Sequence, residues 1–139
     1  MPSPVTTTPP SADTLCAYVL REDGIHQFTF KASVPGAIDA WMEQVSGIYA
    51  HVTADDTLLF LIDLRESGTL PIAYTFQKAR IWLKTLHVHP NVRLAMLHND
   101  EVLISLITTF MDALRLGHLK TATFRRAQAQ AAIDWLLQA

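Results

Sequence analysis

The residue types that could carry chemistry cluster in one stretch, Asp63-Leu64-Arg65-Glu66-Ser67-Gly68-Thr69, with His98 further along the chain. A carboxylate that orients an imidazole, which in turn takes a proton from a hydroxyl, is a general-base arrangement. Asp63, His98 and either Ser67 or Thr69 supply those three types, which gives a hydrolase-like reading provided the side chains converge. Neither hydroxyl sits in a Gly-x-Ser-x-Gly elbow, however. Asp63 also has a plainer use as an acceptor for backbone N–H groups in a turn, and Asn99-Asp100 as the cap of a following helix. Asp63, Arg65, Glu66, Ser67, Thr69 and His98 therefore stand as a candidate regulatory or ligand turn, with no catalytic set assigned.

The remaining reactive groups have simpler uses. His87-Val88-His89 has no third ligand at metal-binding spacing and runs into Pro90, so it reads as a pair of solvated loop histidines and no metal is expected. The single Cys16 has no internal disulfide partner and falls in an apolar run, where a thiol behaves as a small hydrophobe. Five scattered glycines form neither a Gly-x-Gly-x-x-Gly nor a Walker-type loop, so no nucleotide or other cofactor is expected. Arg125-Arg126 is a short basic pair at a helix start.

The candidate turn needs an element to deliver it. The uninterrupted apolar run Leu58 to Ile62, closed by Thr57 and Asp63, fits a strand buried on both faces. Its carboxyl end presents the turn at the edge where open α/β sheets commonly place ligands.

Ahead of it, residues 15–20 and 26–30 are strand-like runs around Asp23-Gly24, a pair suited to the positive φ angles of a tight hairpin. Ser33 is the expected cap of a helix with Pro35 in its first turn and Ile38, Trp41, Met42, Val45 and Ile48 on one face. After the central strand, Pro71 opens a helix whose inward arc is Ile72, Phe76, Ala79, Leu83 and Leu86.

Residues 92–97 form the next strand. A helix capped by Asn99 or Asp100 follows, carrying Leu103, Leu106, Ile107, Phe110 and Leu114 inward to a stop near Gly117. Residues 120–124 and 127–137 close the chain as a strand and a helix. Such alternation with short connections implies an α/β fold with a mostly parallel five-stranded sheet, about four helices on its two faces, and a β-hairpin at the start. Tyr74 and Ile81, opposite the inward arc of their helix, and Ile104 and Met111, at the side of the next, are the expected interface residues.

Composition sets the outer bounds. The chain has 139 residues, 50% hydrophobic and 17% charged, with a formal net charge of -2. That length suits one domain, and the mixed charge lacks the basic patch that nucleic acid requires. No apolar run reaches the ~18 residues of a membrane span. Residues 1–13, rich in Pro and Thr and without a basic start or apolar core, read as a disordered tail rather than a secretory signal. The expectation is one domain over 14–139 in the cytoplasm.

The order of elements resembles the STAS-like fold of the SpoIIAA-like proteins and their SEC14 relatives. The residues that carry the likeness are Leu58-Leu-Phe-Leu-Ile-Asp63-Leu64 before a Gly-containing turn, Val92-Arg-Leu-Ala-Met-Leu97 as the next strand, and Thr123-Phe124-Arg125 leading into Ala-Ala-Ile-Asp-Trp135-Leu136. In anti-anti-sigma members a serine at the start of the helix after the central strand is phosphorylated, and the added charge abolishes partner binding. Ser67-Gly68 is similar to that site, although Glu66-Ser67-Gly68-Thr69 replaces the family's Asp-Ser-Ser-Gly-like run.

The resemblance implies a non-enzymatic protein-interaction or regulatory module that binds a protein partner or a second copy of itself. The SEC14 relationship implies an alternative, binding of a small apolar ligand or lipid, which requires an apolar cavity.

Overall fold

A computed structural model of the protein describes residues 15–114 and 116–138. The tail expected at residues 1–13 lies outside them. Strand β1 (Cys16–Leu20) pairs antiparallel with β2 (Ile25–Phe30). The turn between them is the one Asp23-Gly24 dictates: Gly24 has φ 87°, its N–H donates to the Arg21 carbonyl at 3.0 Å, and Arg21 holds the Asp23 carboxylate at 2.9 Å.

Helix α1 (Pro35–Tyr49), β3 (Thr57–Asp63), α2 (Ile72–Thr85), β4 (Asn91–His98), α3 (Glu101–Leu114) and β5 (Leu119–Arg125) follow. A 3-10 turn (Arg126–Gln128) then leads into α4 (Ala129–Leu137). The five strands lie in the order β1-β2-β3-β4-β5, with every pairing after the hairpin parallel. Among the described residues the fold is thus α/β with a mixed five-stranded sheet and four helices. No helix among the described residues is long and apolar enough to cross a membrane.

Sequential strand order with crossovers of one hand returns every crossover helix to the same face. Accordingly α1, α2 and α3 share one face, packed on Phe28, Phe60, Ile62, Leu94 and Met96, while α4 alone covers Ile25, Leu61, Ala95 and Leu97 on the other. The alternation Phe60-in, Leu61-out, Ile62-in is the two-faced burial that the unbroken apolar run of β3 requires. Complete burial of Phe28 and Phe30 stabilises the fold by roughly 1.5–3 kcal/mol each.

Several local expectations are corrected. Ser33 does not cap α1: the cap position is Val34, extended at φ -135° and ψ 156° and without a side-chain hydrogen bond. Pro35 imposes that conformation on its predecessor and makes the cap one residue later. The α3 cap is as expected, with Asp100 Oδ1 accepting from the N–H groups of Val102 at 2.9 Å and Leu103 at 3.2 Å. Helix α3 ends at Leu114, short of Gly117.

Ile104 is buried in the main core and so cannot belong to a surface patch, because α3 sinks a wider arc into the sheet than its periodicity suggests. Tyr74 is half-buried at the surface and is tied to a neighbouring helix. Its hydroxyl donates to Asp39 Oδ1 on α1 at 2.6 Å. Ile81 does stand exposed, at 55%.

Candidate functional site

The carboxyl edge of β3 folds into a tightly bonded turn. Asp63 accepts from the Arg65 backbone N–H at 3.0 Å and from its guanidinium at 3.0 Å (Nε to Oδ1) and 2.9 Å (Nη2 to Oδ2). A bidentate pair of this kind fixes both side chains. Asn99 Nδ2 donates to the Arg65 carbonyl at 2.9 Å, and the Leu64 N–H donates to the Leu97 carbonyl at 2.9 Å. Gly68, at φ 77°, donates its N–H to the Leu64 carbonyl. Glu66 and Thr69 point to solvent.

His98 is brought to the same edge but not to Asp63. Asp63 is in register with Leu97, so alternation along β4 sends His98 to the opposite face of the sheet. There it is 3% exposed, with Nδ1 unpartnered. The carboxylate–imidazole contact that a hydrolase reading requires is absent in this arrangement. The Ser67 hydroxyl is also buried and unpartnered, turned away from where a modifying enzyme would meet it.

A different feature lies at the amino edge. Between the sheet and α1, α2 and α3 is a cavity of about 120 Å³. Phe60, Val92 and Leu94 form its floor, and its sides come from the last turns of the helices: Val45 and Tyr49 of α1, Trp82 and Leu83 of α2, and Phe110 and Leu114 of α3. Tyr49 and Trp82 meet edge to face, with ring centroids 4.8 Å apart. Burial pushes the Tyr49 phenol up to about 12, so it stays protonated.

Helix α2 roofs this space without sinking into it. None of its residues is fully buried, although its inward arc is the one expected. Ties to its neighbours hold it instead: Tyr74 and Lys78 to Asp39, the latter at 3.4 Å, Trp82 Nε1 donating to Ser46 Oγ at 2.9 Å, and Phe76 stacked on Phe110 with centroids 4.0 Å apart. Met111, expected at an interface, lines the cavity.

At one end of the cavity stand two exposed histidines, His89 from the loop before β4 and His118 from the loop before β5. Their rings stack with centroids 5.7 Å apart. Among the described residues, no group of three or more His, Cys, Asp or Glu side chains is placed to hold a metal ion. No Asp, Glu, Lys or Arg side chain among the described residues lines the cavity.

The periodicity places Trp41, Val45 and Leu83 in the core and His89 in a solvated loop, and does not pair His89 with His118. Helical spacing identifies which residues face inward but not whether opposing stripes close the gap between them. The available signal was an excess of aromatic residues on three neighbouring apolar stripes: Trp41 and Tyr49, Phe76 and Trp82, and Phe110. Comparisons with protein-family models, with curated proteins and with solved structures gave no match.

Proposed function

We propose that the chain is a non-catalytic binding module of STAS-like architecture that takes a small apolar molecule into the cavity beneath α2. The observation that carries this reading is the cavity itself. Close-packed interiors leave few spaces larger than a water molecule, whereas this half-open pocket holds about 120 Å³. An enclosed apolar void of ~150 Å³ accepts benzene, so this half-open pocket has room for a single ring and is too small to enclose a lipid acyl chain. The roof supports the reading too, because a helix held by a few side-chain ties, with no residue fully buried, opens at lower cost than a core element.

The STAS-like assignment is supported by the opening hairpin and by three strand–helix units in unbroken sequential order.

Thermal denaturation with toluene tests the function. Toluene raises the melting temperature of the natural protein saturably, with ~2.7 kcal/mol of stabilisation at a hundredfold excess over the dissociation constant. Ala79→Phe, which places a ring in the void from the roof, folds and does not respond. An unresponsive natural protein, or an equal response from Ala79→Phe, contradicts the reading.

A second reading, docking of a protein partner or a second copy, is favoured by Val102 and Leu106. They are 71% and 49% exposed one turn apart on α3, Leu106 against its expected inward place, a larger apolar display than an isolated surface residue. Sedimentation of the natural protein and of Leu106→Glu separates the cases for self-association: a dimer that dissociates in the variant supports it, and a monomeric natural protein removes it.

A further inference from the structure

The cavity's polar groups define the ligand more closely than its volume does. This inference rests on the proposal that the cavity is a binding site. Apart from backbone, the lining offers hydrogen bonds only through uncharged groups or imidazoles: the Tyr49 phenol, the indole N–H groups of Trp41 and Trp82, and the stacked rings of His89 and His118. The Trp82 N–H is already used by Ser46, while that of Trp41 is buried without a partner.

A ligand carrying a full charge would meet no Asp, Glu, Lys or Arg side chain among the lining residues, so no fixed charge there pairs with it. A purely apolar ligand would leave the imidazole end unused. Aromatic walls, with Tyr49 edge-on to Trp82, favour a flat ring through offset and edge contacts.

We infer that the ligand is a neutral single-ring aromatic molecule bearing one hydroxyl, its ring between Tyr49, Trp82 and Phe110 and its hydroxyl at His89 and His118. Because an imidazole both donates and accepts, either end of the hydroxyl dipole finds a partner there.

Calorimetric titration of the natural protein with toluene, benzyl alcohol, benzoate and benzylamine tests this, repeated on His89→Leu, on His118→Leu and on the double variant. Both substitutions replace exposed side chains, so the fold is kept, which the toluene response confirms. The expected result is saturable binding of toluene and benzyl alcohol and none of benzoate or benzylamine. In the double variant, benzyl alcohol weakens roughly three- to tenfold, the value of one net hydrogen bond, while toluene is unchanged or tighter.

Parallel changes for both neutral ligands, or no change for benzyl alcohol, overturn the hydroxyl assignment and leave the binding function standing. Tighter binding of benzoate or benzylamine overturns the neutral class. Failure of all four ligands to bind overturns the function and the inference together.

Discussion

Asp63 shows how a residue that looks chemical is spent on structure. Its carboxylate is engaged by the Arg65 backbone and guanidinium together, and removing a buried charged acceptor leaves those donors unmet. Asp63→Ala is expected to lose ~2–3 kcal/mol in urea denaturation, and Asp63→Asn about half as much, because the amide oxygen still accepts one bond. Equal stability of Asp63→Ala and the natural protein contradicts a structural role for the turn.

His26 is the residue that couples the fold to pH. Its Nδ1 shares a 2.8 Å hydrogen bond with the Tyr18 hydroxyl, and burial holds the ring below the ordinary value of 6.5. The folded state therefore prefers the neutral ring. In the window from 6.5 down to the lower folded value, the unfolded chain binds the extra proton, so this contribution is complete above 6.5 and is lost as pH falls below it. His26→Gln is expected to flatten the decline in stability as pH falls below 6.5, as read by denaturation at each pH. An unchanged slope excludes His26 as its source.

At the scale of elements, the contrast between β3 and α2 explains what was legible in the sequence. The run Leu58 to Ile62 admits one environment, a strand covered on both faces, and its position at the centre of the sheet follows. The Asp23-Gly24 hairpin is equally determined, because the turn needs φ of 87° at Gly24. Gly24→Ala is expected to cost ~1 kcal/mol without altering the rest of the fold, and a cost near zero means the hairpin tolerates another turn type.

Helix α2 was readable in extent and inward arc but not in depth. The same stripe of Ile72, Phe76, Ala79 and Leu83 would serve a helix pressed onto the sheet or one held a few ångströms away. What decides between them is the bulk of Tyr49, Trp82 and Phe110 on three different elements, which periodicity along one element does not encode. For the same reason the burial of Ile104 in the core and the tie of Tyr74 to α1 are not encoded in the periodicity of their own helices. Ile81, exposed and without such a partner, is expected to tolerate Asp within ~0.5 kcal/mol. If an interface covers it, the variant instead changes the mass in solution.

For the whole molecule, the two ends of the sheet are used differently. The carboxyl edge, where open α/β sheets commonly bind ligands, is occupied here by the Asp63–Arg65 pair and the inward-turned Ser67. The open space is at the amino edge, where the last turns of three helices converge on one face. Its origin is topological. Sequential strand order crowds three crossover helices onto a single face, and the middle one is left bridging its neighbours. Binding beneath that helix would tie all three together, so a ligand is expected to stabilise the domain as a unit.

The most direct measurement is a toluene titration of isotope-labelled protein followed by amide and methyl NMR. A cavity binder shows saturable shifts centred on Val92, Leu94, Leu83 and Leu114, with the turn at Ser67 and the β1 edge unmoved. No saturable shift up to the solubility limit, or shifts centred on the Asp63 to Thr69 turn, contradicts a binding site beneath α2.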